Sequence, residues 1–223
     1  MKRLTIYCLT CLIGVSLLFA QQGVTQCGTP TGQPKFPIET YQELPDPSSP
    51  SDKDWAAVTI PQISWGTIDT RYAKHRLPQL KKQQLTTLKG WRGERVNAQA
   101  VVWTGTEVKD LNFSFTDFKD KKGNSLSDEA FKAGFIRYVM TDELNKDGRG
   151  ACGHRQAVDY DSLLVADPID TNLKSMSVPA RTVQPIWVQC WIPQSATSGT
   201  YKGALLVKDG SRLLQQLNLE IVV

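Results

Sequence analysis

RTVQPIWVQCWIPQSATSGTYKGALLVKDGSRLLQQLNLEIVV, residues 181–223, reads as three consecutive β-strands. Residues 185–192 set Ile186, Val188, Cys190 and Ile192 on one face and Trp187, Gln189 and Trp191 on the other. Ser198-Gly199-Thr200 has turn composition, and residues 201–207 follow as a second apolar run. Asp209-Gly210 tolerates positive φ at both positions and predicts a tight hairpin. The last run alternates, with Leu217, Leu219, Ile221 and Val223 against Gln216, Asn218 and Glu220. A period of two predicts half-buried antiparallel strands. A chain that closes on a packed strand is expected to close a domain there.

Similar rows recur upstream. Val96, Ala98, Ala100 and Val102 form one inner row, and Leu111, Phe113 and Phe115 another. Residues 135–140 read as strand, and residues 161–166 as a short apolar segment before Pro168. Residues 58–65 are a strand candidate disturbed by Pro61. Lys121-Lys122-Gly123-Asn124 has turn chemistry, and Ser127 is placed to cap a short helical turn. Residues 70–88 show no convincing period, and Leu77-Pro78 opposes a long helix. Seven or more strands, with no helical repeats between them, predict an all-β antiparallel sandwich, immunoglobulin-like or galactose-binding-like.

The N-terminus is read apart from the fold. Lys2 and Arg3 precede an apolar stretch, 4–19, that is interrupted by Thr5, Thr10 and Ser16. It is too short and too broken for a spanning helix, which needs about 20 apolar residues. Residues 1–20 therefore read as a signal peptide with cleavage before Gln21. The chain is expected to be exported, to a periplasm or to an outer membrane or cell surface. Lipid attachment at Cys27 is the alternative processing, and membrane association is expected only with that anchor. Residues 21–53 read as an extended Pro/Ser-rich leader, since Pro45-Asp46-Pro47-Ser48-Ser49-Pro50 cannot pack a core. Residues 54–223 are the sandwich. Lys2 and Arg3 are the only charged residues in 1–20, so the formal charge falls from +4 to +2 on cleavage. That near-neutral balance gives no electrostatic case for nucleic acid.

Three cysteines remain after cleavage: Cys27, Cys152 and Cys190. Cys152 and Cys190 are candidates for a disulfide in an oxidising compartment. Cys190 equally fits a small, buried core residue on its strand. His75 and His154 are the only histidines, and no Gly-x-Ser-x-Gly elbow is present. The acidic pairs Asp128-Glu129 and Asp142-Glu143 lie in polar turn or loop contexts, as solvated surface acids do. Glu143 to Gly148 resembles half a calcium loop, but His154 stands at the twelfth position where glutamate is needed. No catalytic residue, metal site or cofactor is assigned.

Six tryptophans, Trp55, Trp65, Trp91, Trp103, Trp187 and Trp191, are the strongest non-catalytic signal. An exposed indole stacks on sugar rings, whereas a buried one fills core and finds a partner for its N–H. Trp187, Trp191 and Gln189 share a face and are candidates for contact with carbohydrate or a neighbouring domain. Asn112-Phe113-Ser114 fits an N-glycosylation acceptor, and Asp161-Ser162-Leu163 a short O-glycosylation sequence.

Four segments together resemble a known family. They are Gly90-Trp91-Arg92-Gly93-Glu94-Arg95-Val96-Asn97-Ala98-Gln99, Asp161-Ser162-Leu163-Leu164, Val178-Pro179-Ala180-Arg181-Thr182-Val183-Gln184-Pro185-Ile186-Trp187-Val188, and Gly199-Thr200-Tyr201-Lys202-Gly203. The chain resembles, over residues 55–223, the N-terminal β-sandwich of glycoside hydrolase family 123, common in exported proteins of Bacteroides-type bacteria. The resemblance implies that hydrolysis of β-linked N-acetylgalactosamine belongs to a following (β/α)-barrel, whose Asp–Glu pair works by substrate assistance. It places no catalytic residue on this sequence. The expectation is a non-catalytic accessory sandwich that braces or lines a catalytic barrel, supplied in cis or in trans. A stand-alone exported carbohydrate-binding protein is the alternative.

Overall fold

The computed structural model of the 223-residue chain describes residues 43–44, 46, 50–141 and 163–223. These all fall in one compact unit, Pro37–Val223. After a single helical turn, α1 (Asp52–Trp55), the regular structure of the described residues is strand apart from one 3₁₀ turn. The strands are β1 (Gln62–Gly66), β2 (Leu85–Lys89), β3 (Arg95–Thr104), β4 (Val108–Phe115), β5 (Phe118–Lys119) and β6 (Ser125–Leu126). They continue with β7 (Phe131–Thr141), β8 (Leu163–Asp170), β9 (Ser175–Val178), β10 (Thr182–Trp191), β11 (Thr200–Asp209) and β12 (Arg212–Val222).

Two sheets form the sandwich. One runs β1-β3-β10-β7-β8; the other runs β2-β12-β11-β4-β9, with β5 paired beside β11 and β6 paired to β5. The inner rows expected from the sequence meet between them. Ala100, Val102, Ile186, Val188, Cys190 and Ile192 face Leu205, Leu217, Leu219 and Ile221, all fully buried. Each such Leu or Ile contributes about 1.5–3 kcal/mol by leaving water. The phenylalanines of β4 cross the gap to those of β7. Phe113 lies 5.0 Å from Phe135, and Phe115 lies 5.4 Å from Phe131.

Most pairs are antiparallel, but β2 runs parallel to β12, so the second sheet is mixed. The β11–β12 hairpin turns one residue later than expected. Asp209 pairs with Arg212, and Gly210 and Ser211 are the central residues. Only Gly210 has positive φ, +59°, which is the type II′ requirement. Ser127 does cap a single 3₁₀ turn over Asp128–Ala130, accepting from the Glu129 N–H.

β3 is buried on both faces. Its outer residues Val101 and Trp103 are covered by Trp55, Tyr72, Leu77 and Leu80 from residues 55–80. That covering role explains why residues 70–84 have scattered apolar side chains and no period. β10 is interior to its sheet yet contains Pro185, which has no N–H for a ladder. Its register with β7 ends at Ile186–Phe135. Beyond that point the Gln184 side chain donates to the Ile136 carbonyl at 2.9 Å, and the Tyr138 hydroxyl donates to the Val183 carbonyl. Two buried side chains thus replace main-chain bonds where the strands part. On the sheet edge, β8 accommodates Pro168 beside a register shift in β7.

Candidate functional site

Three of the six tryptophans are core. Trp55, Trp65 and Trp103 are buried, and the first two donate their indole N–H to the carbonyls of His75 and Asn218. The other three sit toward solvent and define the candidate surface.

Trp91 is 84% exposed, more than any other large apolar residue described. It begins a four-residue turn between β2 and β3, closed by a Glu94 N–H to Trp91 carbonyl bond of 3.0 Å. Gly93 occupies the third position with φ +80°, the signature of a type II turn. The Trp91 N–H donates to the Glu94 carboxylate at 2.7 Å. Gly90 and Gly93 N–H groups donate to the carbonyls of Val222 and Ile192. The indole is thereby held out in water by a turn anchored to two strands. Beside it lies an open groove of about 700 Å³ lined by Trp91, Arg92, Glu94, Ser198, Val222 and Val223. Arg92 reaches across it to the Ser198 hydroxyl at 3.2 Å. Val223 is held at the far wall by reciprocal backbone bonds with Gly199.

Trp191 is 54% exposed and braces the same turn. Its indole N–H donates to the Gly93 carbonyl at 3.1 Å, and the Arg95 guanidinium lies 5.0 Å over its ring. Trp187 shares its face four residues back, about 13 Å along the strand. It is half-buried against Ile136, Tyr138, Leu164 and Ala166. Gln189 between them is half-buried. The face expected from the alternation is real, but its two tryptophans have different surroundings, and the more exposed Trp91 lies outside it.

Cys190 is a free thiol within the inter-sheet core, and burial pushes its pKa up to about 12. Cys27, Cys152, Asp142, Glu143, His154 and the Asp161-Ser162 pair lie outside the described residues. Asn112 spends its amide on the carbonyls of Asp110 and Gly210, in a strand rather than an accessible loop. Among the described residues, no three His, Cys, Asp or Glu side chains gather as a metal site.

A charged cluster lies on the outer face of the first sheet. Glu43 accepts from Lys74 Nζ at 2.6 Å, Arg137 Nε at 3.2 Å and the Tyr138 N–H at 3.3 Å. Arg137 also reaches buried Asp170 at 3.3 Å. Asp46 approaches His75 Nε2 at 3.6 Å. Sequence reading did not find this cluster, because its members are separated by tens of residues within ordinary polar contexts.

The family model described as the glycoside hydrolase 123 N-terminal domain matches residues 65–209, which contain the Trp91 turn and all of β3, β10 and β11. The chain belongs to that family. A family 123 glycoside hydrolase from Clostridium perfringens, reported for glycolipid glycan hydrolysis, shares the fold at a TM-score of 0.59 and 18% identity. The match covers 73% of this chain and 27% of that one. The N-terminal domain of PorA aligns over 72% of this chain and 96% of its own, at 9% identity and a TM-score of 0.33. No curated protein matches. The glycoside hydrolase 123 N-terminal domain here thus carries its most exposed indole on a rigid turn at one end of the sandwich.

Proposed function

We infer that this chain is a non-catalytic accessory sandwich that braces, or lines one edge of, a glycoside hydrolase barrel acting on β-linked N-acetylgalactosamine. The family match over residues 65–209 carries this reading. The sandwich's share of the Clostridium perfringens enzyme, about a quarter, supports it. Export through the signal peptide at 1–20, to the periplasm or to the outer membrane or cell surface, belongs to the same reading, with Cys27 as the lipid site if the chain is anchored. The face of Trp187, Gln189 and Trp191 is a candidate for domain contact. The test is turnover of an aryl β-N-acetylgalactosaminide by the purified chain. None is expected; release of the aryl alcohol in proportion to chain concentration would refute it.

Exposure of Trp91 and Trp191 favours a second reading, a stand-alone carbohydrate-binding protein. A glycan array separates the two. Trp-dependent binding to any glycan would support the second, and a blank array would remove it.

A further inference from the structure

We propose that the groove between the Trp91 turn and residues 222–223 is the seat of a family 123 catalytic barrel, with Trp91 as its anchor. The proposal rests on the accessory reading and adds where contact is made and by which side chains.

Three observations carry it. The first is preorganisation. An exposed indole on a loose loop would lose freedom on binding, but this one stands on a type II turn fixed by Glu94 and by backbone bonds to Ile192, just after β10, and to Val222 of β12. Little ordering remains to oppose association. The second is charge. Lys89 and Arg92 flank Trp91, and neither has a carboxylate partner among the described residues. The nearby Glu94 carboxylate serves the Trp91 N–H. An aromatic anchor with arginine beside it is the composition of an interface hot spot. The two cations call for carboxylates on a partner, which a neutral sugar does not offer. The third is position. Val222 and Val223 line the groove and are pinned by Gly90 and Gly199. A partner seated in the groove meets Trp91 and this pinned strand edge together. The Clostridium perfringens relative has nearly three quarters of its chain outside the matched part.

The experiment titrates the full chain with a separately prepared family 123 barrel whose folding is first checked by circular dichroism. Wild type is expected to bind, and Trp91→Ala to bind at least tenfold more weakly. Arg92→Glu is expected to weaken binding and flatten its salt dependence. Both positions face solvent, so near-wild-type thermal midpoints should accompany the losses. Equal binding by wild type and both variants would overturn the seat and leave the accessory reading intact. No binding by wild type would overturn both. Trp91-dependent binding to a glycan array, or Trp91-dependent self-association in analytical ultracentrifugation, without barrel binding, would assign the groove to sugar or to a second copy and overturn the proposal.

Discussion

Tyr138 is wholly buried, and desolvation, reinforced by the charges of Glu43 and Asp46, raises its phenol pKa well above 10.0. The folded chain therefore keeps this proton at pH values where the unfolded chain releases it. Its contribution is complete below about pH 10 and falls as pH rises above that value. Tyr138→Phe leaves the Val183 carbonyl without its donor and should cost about 1–2 kcal/mol at neutral pH. Urea unfolding across pH should show that deficit shrinking above about pH 10, as the wild type alone loses stability. Parallel stability profiles would contradict the assignment. Cys190 gives a second residue-scale test. A thiol raised to about 12 in a core position should resist alkylation in the native protein and react only on unfolding. Mass mapping of the Cys190 peptide checks this; rapid native labelling would mean that the core opens there.

Elements were legible where a period survived. The inner rows of β3, β4, β10 and β12 stand in the sequence because each strand buries one face against the opposite sheet. β2 left no such sign. It is a five-residue edge strand whose parallel partner lies some 130 residues away, so nothing local marks the pairing. The short β5, β6 and β9 were missed for the same reason of length. The β11–β12 turn was read one residue early, because aspartate and glycine both favour turns and only the register decides which are central. Gly203 shows how closely these elements meet: a Cβ there would lie 2.7 Å from three atoms of the Phe118 ring. Gly203→Ala should cost about 1–3 kcal/mol in urea unfolding, since the ring must shift within a packed layer. An unchanged midpoint would show that Phe118 moves freely. Glu43 tests the charged cluster on the outer face of the first sheet. Glu43→Ala removes the shared acceptor of Lys74, Arg137 and the Tyr138 N–H, and should lower stability by about 1–3 kcal/mol. No change would mean that the contact forms without contributing.

At the scale of the molecule, the family was readable from the motifs Gly90 to Gln99 and Val178 to Val188, and the family model covers both. The candidate surface was only half readable. Alternation set Trp187 and Trp191 on one face, but sequence carries no sign that the β7–β8 lobe would cover Trp187. Nor does it say that a type II turn would lift Trp91 into solvent. Exposure is decided by what packs against a residue, and those neighbours come from distant parts of the chain. In the function proposed here, the sandwich stabilises a barrel by binding it rather than acting on sugar itself. Calorimetric unfolding of a family 123 barrel, alone and with excess chain, tests this most directly. Binding to the folded state should raise the barrel's unfolding temperature progressively with chain concentration. A barrel endotherm that stays in place at every concentration of the chain would contradict the claim.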